Sequence, residues 1–168
     1  MLLAVPPKRR CGVITLELLL NLPIWLIMVF AVAEFGRLSS HAQQISLASR
    51  VGAEEAARTP DLPATGTVPD NICIAVVNQL QSAGLRCSML IVEHNTSGQP
   101  ATLVSGGGLG APPLTPLPSV GTYVRVSVFI RGTDLAPNLL KHVGFDLSRT
   151  VTGQSTTFSY QLPTRGVQ

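Results

Sequence analysis

The chain has 168 residues, of which 45% are hydrophobic and only 12% are charged, and its formal net charge is +3 at pH 7. This length allows one modest domain, and the low charged fraction is typical of a chain partly solvated by lipid. Because three of the basic residues are Lys8, Arg9 and Arg10, the other nine Lys and Arg only balance the nine acidic residues, which argues against a nucleic-acid-binding protein.

A long apolar segment follows this basic cluster, from Val13 to about Phe35, and no formal charge interrupts it between Leu18 and Ala33. As an α-helix, a run of about twenty residues spans the hydrocarbon layer of about 30 Å, so the segment can cross a membrane once. Lys and Arg directly before a membrane helix are retained on the cytoplasmic side. The pattern therefore predicts a cytoplasmic N-terminus, with everything after Arg37 outside.

A secretory signal peptide is an alternative interpretation, since it also has a basic start followed by an apolar stretch. Its apolar region normally has about 7–15 residues and ends at small residues before a cleavage site. This apolar run is longer and continues into "EFGRLSSHAQQ", which still has a helical pattern. The comparison favours a retained membrane helix.

Two residues in the apolar run are unusual for a membrane helix. Glu17 places a carboxylate within the run. An ionisable group in lipid is by default a functional candidate that needs a partner. The alternative is that the Glu17 side chain reaches water at the nearby membrane interface. Pro23 removes a backbone hydrogen bond, which predicts a kink near residues 19–23. Such a kink either has a functional role or is that of an ordinary proline in a membrane helix.

Beyond the membrane the helical pattern continues to Arg58, where Thr59 precedes Pro60 and is disfavoured in a helix. Glu34 and Arg37 are three residues apart and can share a face at the outer interface. A stripe of small and apolar residues at helical spacing predicts close approach of another element. It consists of Leu38, Ala42, Ile45, Ser49, Gly52 and Ala56.

Residues 60–168 predict a small α+β domain resting on the outer half of the long helix. The alternation of Val124, Val126, Val128 and Ile130 with more polar neighbours predicts a strand with one buried face. We expect about three antiparallel strands. In chain order the predicted elements are a helix over 71–83 begun by Asp70, a strand over 86–94, a Gly- and Pro-rich loop over 97–119, the alternating strand, a short helix over 136–144 and a last strand over 145–158.

The sequence gives little support for catalysis. His41, His94 and His142 are scattered, "SGGGLG" lacks the Lys and Ser/Thr of a phosphate-binding loop, and no metal-ligand spacing is present. We therefore expect no metal, no cofactor, no small-molecule substrate and no enzymatic activity. Cys73 and Cys87 form either a disulfide, if this part of the chain lies in an oxidising compartment, or two small buried thiols.

The N-terminal residues resemble the class III signal of type IV pilin-like proteins, and more closely the TadE-like family of tight-adherence (Tad) pilus pseudopilins. The resemblance rests on Gly12 and the apolar residues after it, Glu17, "LP" at Leu22 and Pro23, and "EFGR" at Glu34 to Arg37 followed by a helix ending "GAEEAAR". It covers about the first sixty residues well and the remainder in outline.

This resemblance implies a prepilin peptidase that cuts after Gly12, removing leader 1–12 with Cys11 and making Val13 the first residue. Glu17 would then be the fifth residue and would pair with the α-amine of its own or a neighbouring subunit. The expected organisation is leader 1–12, transmembrane helix 13–35, outer helix extension 36–59 and outer domain 60–168.

The resemblance also implies a first functional hypothesis: a non-enzymatic, minor pseudopilin-like membrane protein that helps assemble a Tad-type pilus or secretion apparatus. It would lie in the bacterial inner membrane, with its C-terminal domain extracytoplasmic and with other pilins and pilus assembly proteins as partners. A different hypothesis is a membrane-tethered binding or adhesion module whose N-terminus is not processed. A third is an exported enzyme released by cleavage beyond residue 33. An N-terminus starting at Val13 would favour the first of the three.

Overall fold

The computed structural model describes residues 11–96, 98–107, 109, 121–135, 137, 141, 144, 146 and 150–159. It confirms the predicted α+β class: a long N-terminal helix is followed by a small antiparallel sheet and short helices. The elements are α1 (Cys11–Arg58), α2 (Asp70–Ser82), β1 (Met89–His94), β2 (Ala101–Gly106), β3 (Tyr123–Arg131), α3 (Gly132–Leu135) and β4 (Val151–Ser159).

Helix α1 is one element of 48 residues that continues through Pro23. At 1.5 Å per residue it is about 70 Å long, about twice the thickness of the hydrocarbon layer. It ends where the sequence predicts, at Arg58, and the backbone N–H and hydroxyl of Thr59 both donate to the Glu55 carbonyl. Pro60 follows, and the residue before a proline is sterically disfavoured in the helical region.

The sheet has four strands in the order β2-β1-β3-β4, and each neighbouring pair is antiparallel. The expectation of about three strands is corrected by β2, which lies within the stretch 97–119 that was expected to be a loop. Gly and Pro on both sides dominate the composition of that stretch. Within it, "ATLVS" pairs with β1 and buries Leu103 opposite Val92. The stabilisation from this pairing and burial exceeds the tendency of the neighbouring Gly and Pro residues to form turns.

The other predicted elements differ at their ends. Strand β1 begins at Met89 rather than at residue 86, and β4 begins at Val151 rather than at residue 145. The one-turn helix α3 comes directly after β3 and was not predicted. Most of the predicted helix 136–144 lies outside the described residues.

Strand β3 is buried on both faces, which corrects the expectation of one buried face. Val124, Val126, Val128 and Ile130 belong to the main core, as their alternation predicts. Tyr123, Arg125, Ser127 and Phe129 point the other way and are also buried. The reason is that β3 is a central strand whose second face is covered: Phe129 packs with Met89 and Ile91 of β1, and Leu109 packs against this cluster.

The main core lies between the sheet and the C-terminal half of α1, with α2 alongside. The predicted small-residue stripe of α1 faces it: Ile45, Ser49, Gly52 and Ala56 are buried, and Leu38 packs against the core. Gly52 is the point of closest approach, because an added Cβ would lie 2.6 Å from Val76 Cγ2 and 3.1 Å from Val126 Cγ1. Only a residue without a side chain lets α1, α2 and β3 meet there.

Candidate functional site

The N-terminal half of α1 carries an apolar surface that the rest of the chain does not cover. Among the described residues α1 is the one helix long and apolar enough to cross a membrane, and its most apolar 18-residue window has a mean hydropathy of 2.2 with no buried residue. Residues Leu18, Trp25 and Val32 are each about two-thirds or more exposed. Such a surface requires lipid or other apolar helices around it, and the helix is a single-pass membrane anchor.

Gly12, Val13 and Glu17 all lie in the first turns of α1, which begins at Cys11. Val13 and Glu17 are four residues apart, so they lie on one side of the helix about 6 Å apart along its axis. Glu17 is exposed on the helix surface. Glu17 therefore lies about one helical turn from Val13, the residue whose nitrogen cleavage after Gly12 would free.

Glu17 shares its face of α1 with a second polar side chain that sequence reasoning missed. Glu17, Leu18, Asn21 and Trp25 line a shallow depression of about 250 Å³ on the helix. Glu17, Asn21 and Trp25 follow at intervals of four residues, which brings them to one side. The available signal was the spacing itself, since Asn21 is an amide inside an otherwise apolar run.

At the C-terminal end of the apolar segment, Glu34 and Arg37 lie in different environments. Glu34 is buried, whereas Arg37 is exposed beside α3 and lines a depression of about 230 Å³ with Thr133, Asp134, Leu135 and Pro137. One turn farther along α1, the ring Nδ1 of His41 hydrogen-bonds the Leu135 carbonyl oxygen. These contacts fix the end of β3 and α3 against α1, just above the apolar segment.

Cys73 of α2 and Cys87, just before β1, are half-buried free thiols that both pack against the main core. The pKa of Cys87 is raised to about 11, mainly because burial disfavours the charged thiolate; Cys73 contributes in the same direction, and a backbone hydrogen bond at Met89 partly opposes both. At neutral pH the Cys87 thiol is protonated, which makes it a poor nucleophile.

The described histidines have structural roles. His94 is buried on β1, where its Nε2 lies 3.0 Å from the Pro63 carbonyl oxygen and its Nδ1 lies 3.2 Å from Thr96 Oγ1. These contacts attach the linker after α1 to the sheet. Within the described part of the chain, no group of three or more His, Cys, Asp and Glu side chains is placed to hold a metal ion.

The comparison with protein families gives one result. Residues 12–54 match the TadE-like protein family, which confirms the resemblance noted from the sequence. The matched segment begins at Gly12, contains Glu17, Pro23 and the stretch Glu34–Arg37, and ends at Glu54, four residues before the end of α1. No curated protein and no solved structure matches the chain.

Proposed function

We propose, from the TadE-like character of residues 12–54, that this chain is a non-enzymatic, pseudopilin-like component that helps assemble a Tad-type pilus or secretion apparatus. The observation that carries the proposal is the coincidence of that match with an uncovered apolar helix which continues, without a break, into the core of the outer domain. A helix built in this way anchors the protein in the membrane and supports a domain outside it.

The proposed maturation step is cleavage between Gly12 and Val13 by a prepilin peptidase. The basic residues Lys8, Arg9 and Arg10 precede the apolar helix and favour a cytoplasmic position for this bond, in the inner membrane of a bacterium. Cleavage removes the basic leader and creates a new α-amine at Val13. That amine is largely protonated near neutral pH, because α-amino groups have pKa values of about 7.7–8.0.

The proposed partner of Glu17 is this amine, in the same or a neighbouring subunit. A carboxylate on a membrane helix is expensive unless it is paired, and Glu17 lies on an exposed side of α1 one turn from Val13. The pairing neutralises both charges as the helix moves from lipid into an assembly. Other pilins and pilus assembly proteins are then its protein partners, together with the peptidase and the membrane.

A membrane-tethered binding or adhesion module without N-terminal processing is the second candidate. It is favoured by one observation: the family match ends at residue 54 and leaves α2 and the whole sheet outside it. In that case α1 is only a tether, and Glu17 reaches water at the cytoplasmic interface.

The test compares two carboxylate variants of the full chain in a bacterium that builds a Tad pilus. Glu17→Gln removes the charge in the apolar segment. Glu54→Gln is the matched control, because Glu54 lies on the same helix outside that segment and pairs with the exposed Arg50 at 3.2 Å. We expect the Glu17 variant to lose co-isolation with pilins while Glu54→Gln behaves like the parent. Equal co-isolation of both variants would contradict the pairing.

A further inference from the structure

Both outer strands of the described sheet lack the charged residues and prolines that often protect a sheet edge. The strand order places β2 and β4 at the two edges. Neither strand contains a charged residue or a proline: β2 is "ATLVSG" and β4 is "VTGQSTTFS". Soluble proteins usually block such edges with Lys, Pro, inward-pointing charges or bulges, because unpaired backbone N–H and C=O groups bind other strands.

These edges are also accessible. Thr102, Val104 and Gly106 are exposed on β2, and Val104 leaves 42% of its surface open although it is apolar. On β4, Gly153, Ser155 and Thr157 are exposed. Among the described residues, no further strand pairs with the outer side of β2 or of β4.

Contacts with α1 fix the direction of the strands relative to the membrane. Gly52 of α1 lies against Val126, and His41, nearer the membrane, hydrogen-bonds the Leu135 carbonyl oxygen just after β3. Strand β3 therefore runs toward the membrane. Because all neighbouring strands are antiparallel, β4 and β1 run away from the membrane and β2 runs toward it.

We infer that the β4 edge of one copy of this chain pairs with the β2 edge of the next copy. The inference deepens the proposed function and rests on its anchored assembly, in which every copy crosses the membrane in the same direction. Among copies oriented alike, β4 and β2 are antiparallel partners, whereas β4 beside β4, or β2 beside β2, would be parallel. Antiparallel pairing is slightly more stable per residue, and neither edge strand brings a charge that opposes contact.

An edge-to-edge contact of this kind is heterologous, since two different surfaces of the same chain meet. Repeated contacts of this type form a ring if the rotation closes and an open helical array if it does not. The membrane helix and the sheet would then both determine how subunits are arranged. The partner of the outer domain is thus a second copy of this chain.

The sheet register provides a crosslinking test. Thr102, Glu93, Arg125 and Thr157 form one row across the sheet, and Val104, Ile91, Ser127 and Ser155 form the row two residues away. The two edge residues of a row are three strand spacings apart, or about 14 Å, which is beyond the reach of a disulfide. A bond between cysteines introduced at one β2 position and one β4 position must therefore join two copies.

The experiment uses the full chain in membranes, oxidised with copper phenanthroline and analysed on non-reducing gels. Cysteine pairs Thr102→Cys/Thr157→Cys and Val104→Cys/Ser155→Cys test the in-row register, and the two mixed pairs test a slip of two residues. We expect at least one pair to give a ladder of dimers and higher multimers. The parent, which retains Cys73 and Cys87 and, when the leader is not removed, also Cys11, should remain monomeric, and so should each single variant.

A second substitution tests that the contact uses this edge. Adding Ser155→Lys to the Thr102→Cys/Thr157→Cys chain should abolish its ladder, whereas adding Gln81→Lys, at an exposed position on α2, should leave it intact. No ladder in any pair would overturn the inference, as would Thr157→Cys alone giving as much dimer as the double variants. A ladder from a chain that keeps its leader would instead retain the inference and remove the pseudopilin role.

Discussion

Glu93 on β1 and Arg125 on β3 are directly opposite each other in the sheet, with Glu93 Oε2 3.6 Å from Arg125 Nε and both side chains at least nine-tenths buried. Removing one partner of a buried ion pair costs about 3–5 kcal/mol, whereas replacing both by apolar residues is often neutral. We expect Arg125→Met to lower the free energy of unfolding by about that amount. The double variant Glu93→Leu/Arg125→Met should recover most of it in urea unfolding in detergent, and additive losses would contradict a coupled pair.

The same pair makes stability depend on pH. Burial raises the pKa of Glu93 above its ordinary value of 4.5, because the cost of burying the charge exceeds the opposing effect of Arg125. A carboxyl whose folded-state pKa is raised holds its proton more tightly in the folded protein, so this contribution to stability is present at low pH and lost as pH rises through the raised pKa. We expect Glu93→Gln to reduce the fall in unfolding free energy between pH 4 and neutral pH. An unchanged pH profile would exclude this carboxyl as the source.

Gly52 should tolerate no side chain. A Cβ there would lie 2.6 Å from Val76 Cγ2, so Gly52→Ala must push α1 away from α2 and the sheet. Overpacking of this kind costs about 1–3 kcal/mol, which thermal unfolding can measure as a lower midpoint. Gly36→Ala is the matched control, because it lies on the same helix with no atom within 4 Å of the added Cβ. Equal effects of the two variants would contradict the close approach at Gly52.

Cys73 and Cys87 should form a disulfide if the outer domain is exposed to an oxidising compartment. Both thiols pack against the same core, and a bond between them would close a loop of about fifteen residues, which stabilises by about 3 kcal/mol. We expect no free thiol at either position in protein isolated from membranes, as measured by maleimide labelling after denaturation without reductant. Cys73→Ser should then expose Cys87 to labelling; two labelled thiols in the parent would show that the pair stays reduced.

The long helix could be predicted from sequence because several independent signals agree along it. The apolar run, the small-residue stripe through Ile45 and Gly52, and the stop before Pro60 depend on local chemistry, and the structure confirms the helix to Arg58. Strand β2 was missed because its six residues lie between Gly- and Pro-rich flanks, so only pairing with β1 shows that it is a strand. The burial of Arg125 was missed because alternation identifies one buried face and gives no information about what covers the other.

Some residues of the candidate site could likewise be predicted from the sequence, and others could be found only from the fold. Gly12, Glu17 and Pro23 stand out as departures from an apolar pattern, which a sequence shows directly. The approach of α3 to Arg37 and His41 depends on the path of the chain after β3, which no local pattern specifies. Asn21 was visible in the sequence, and its position on the face of Glu17 follows from helical spacing once both are considered together.

The most direct measurement is the N-terminal sequence and intact mass of the chain from bacterial membranes, with and without a prepilin peptidase. The pseudopilin account predicts a mature chain that begins at Val13 only when the peptidase is present, with Glu17 as its fifth residue. A chain that retains Lys8 to Gly12 in the presence of the peptidase would lack the amine that Glu17 is proposed to meet. That result would contradict the account and favour the tethered binding module.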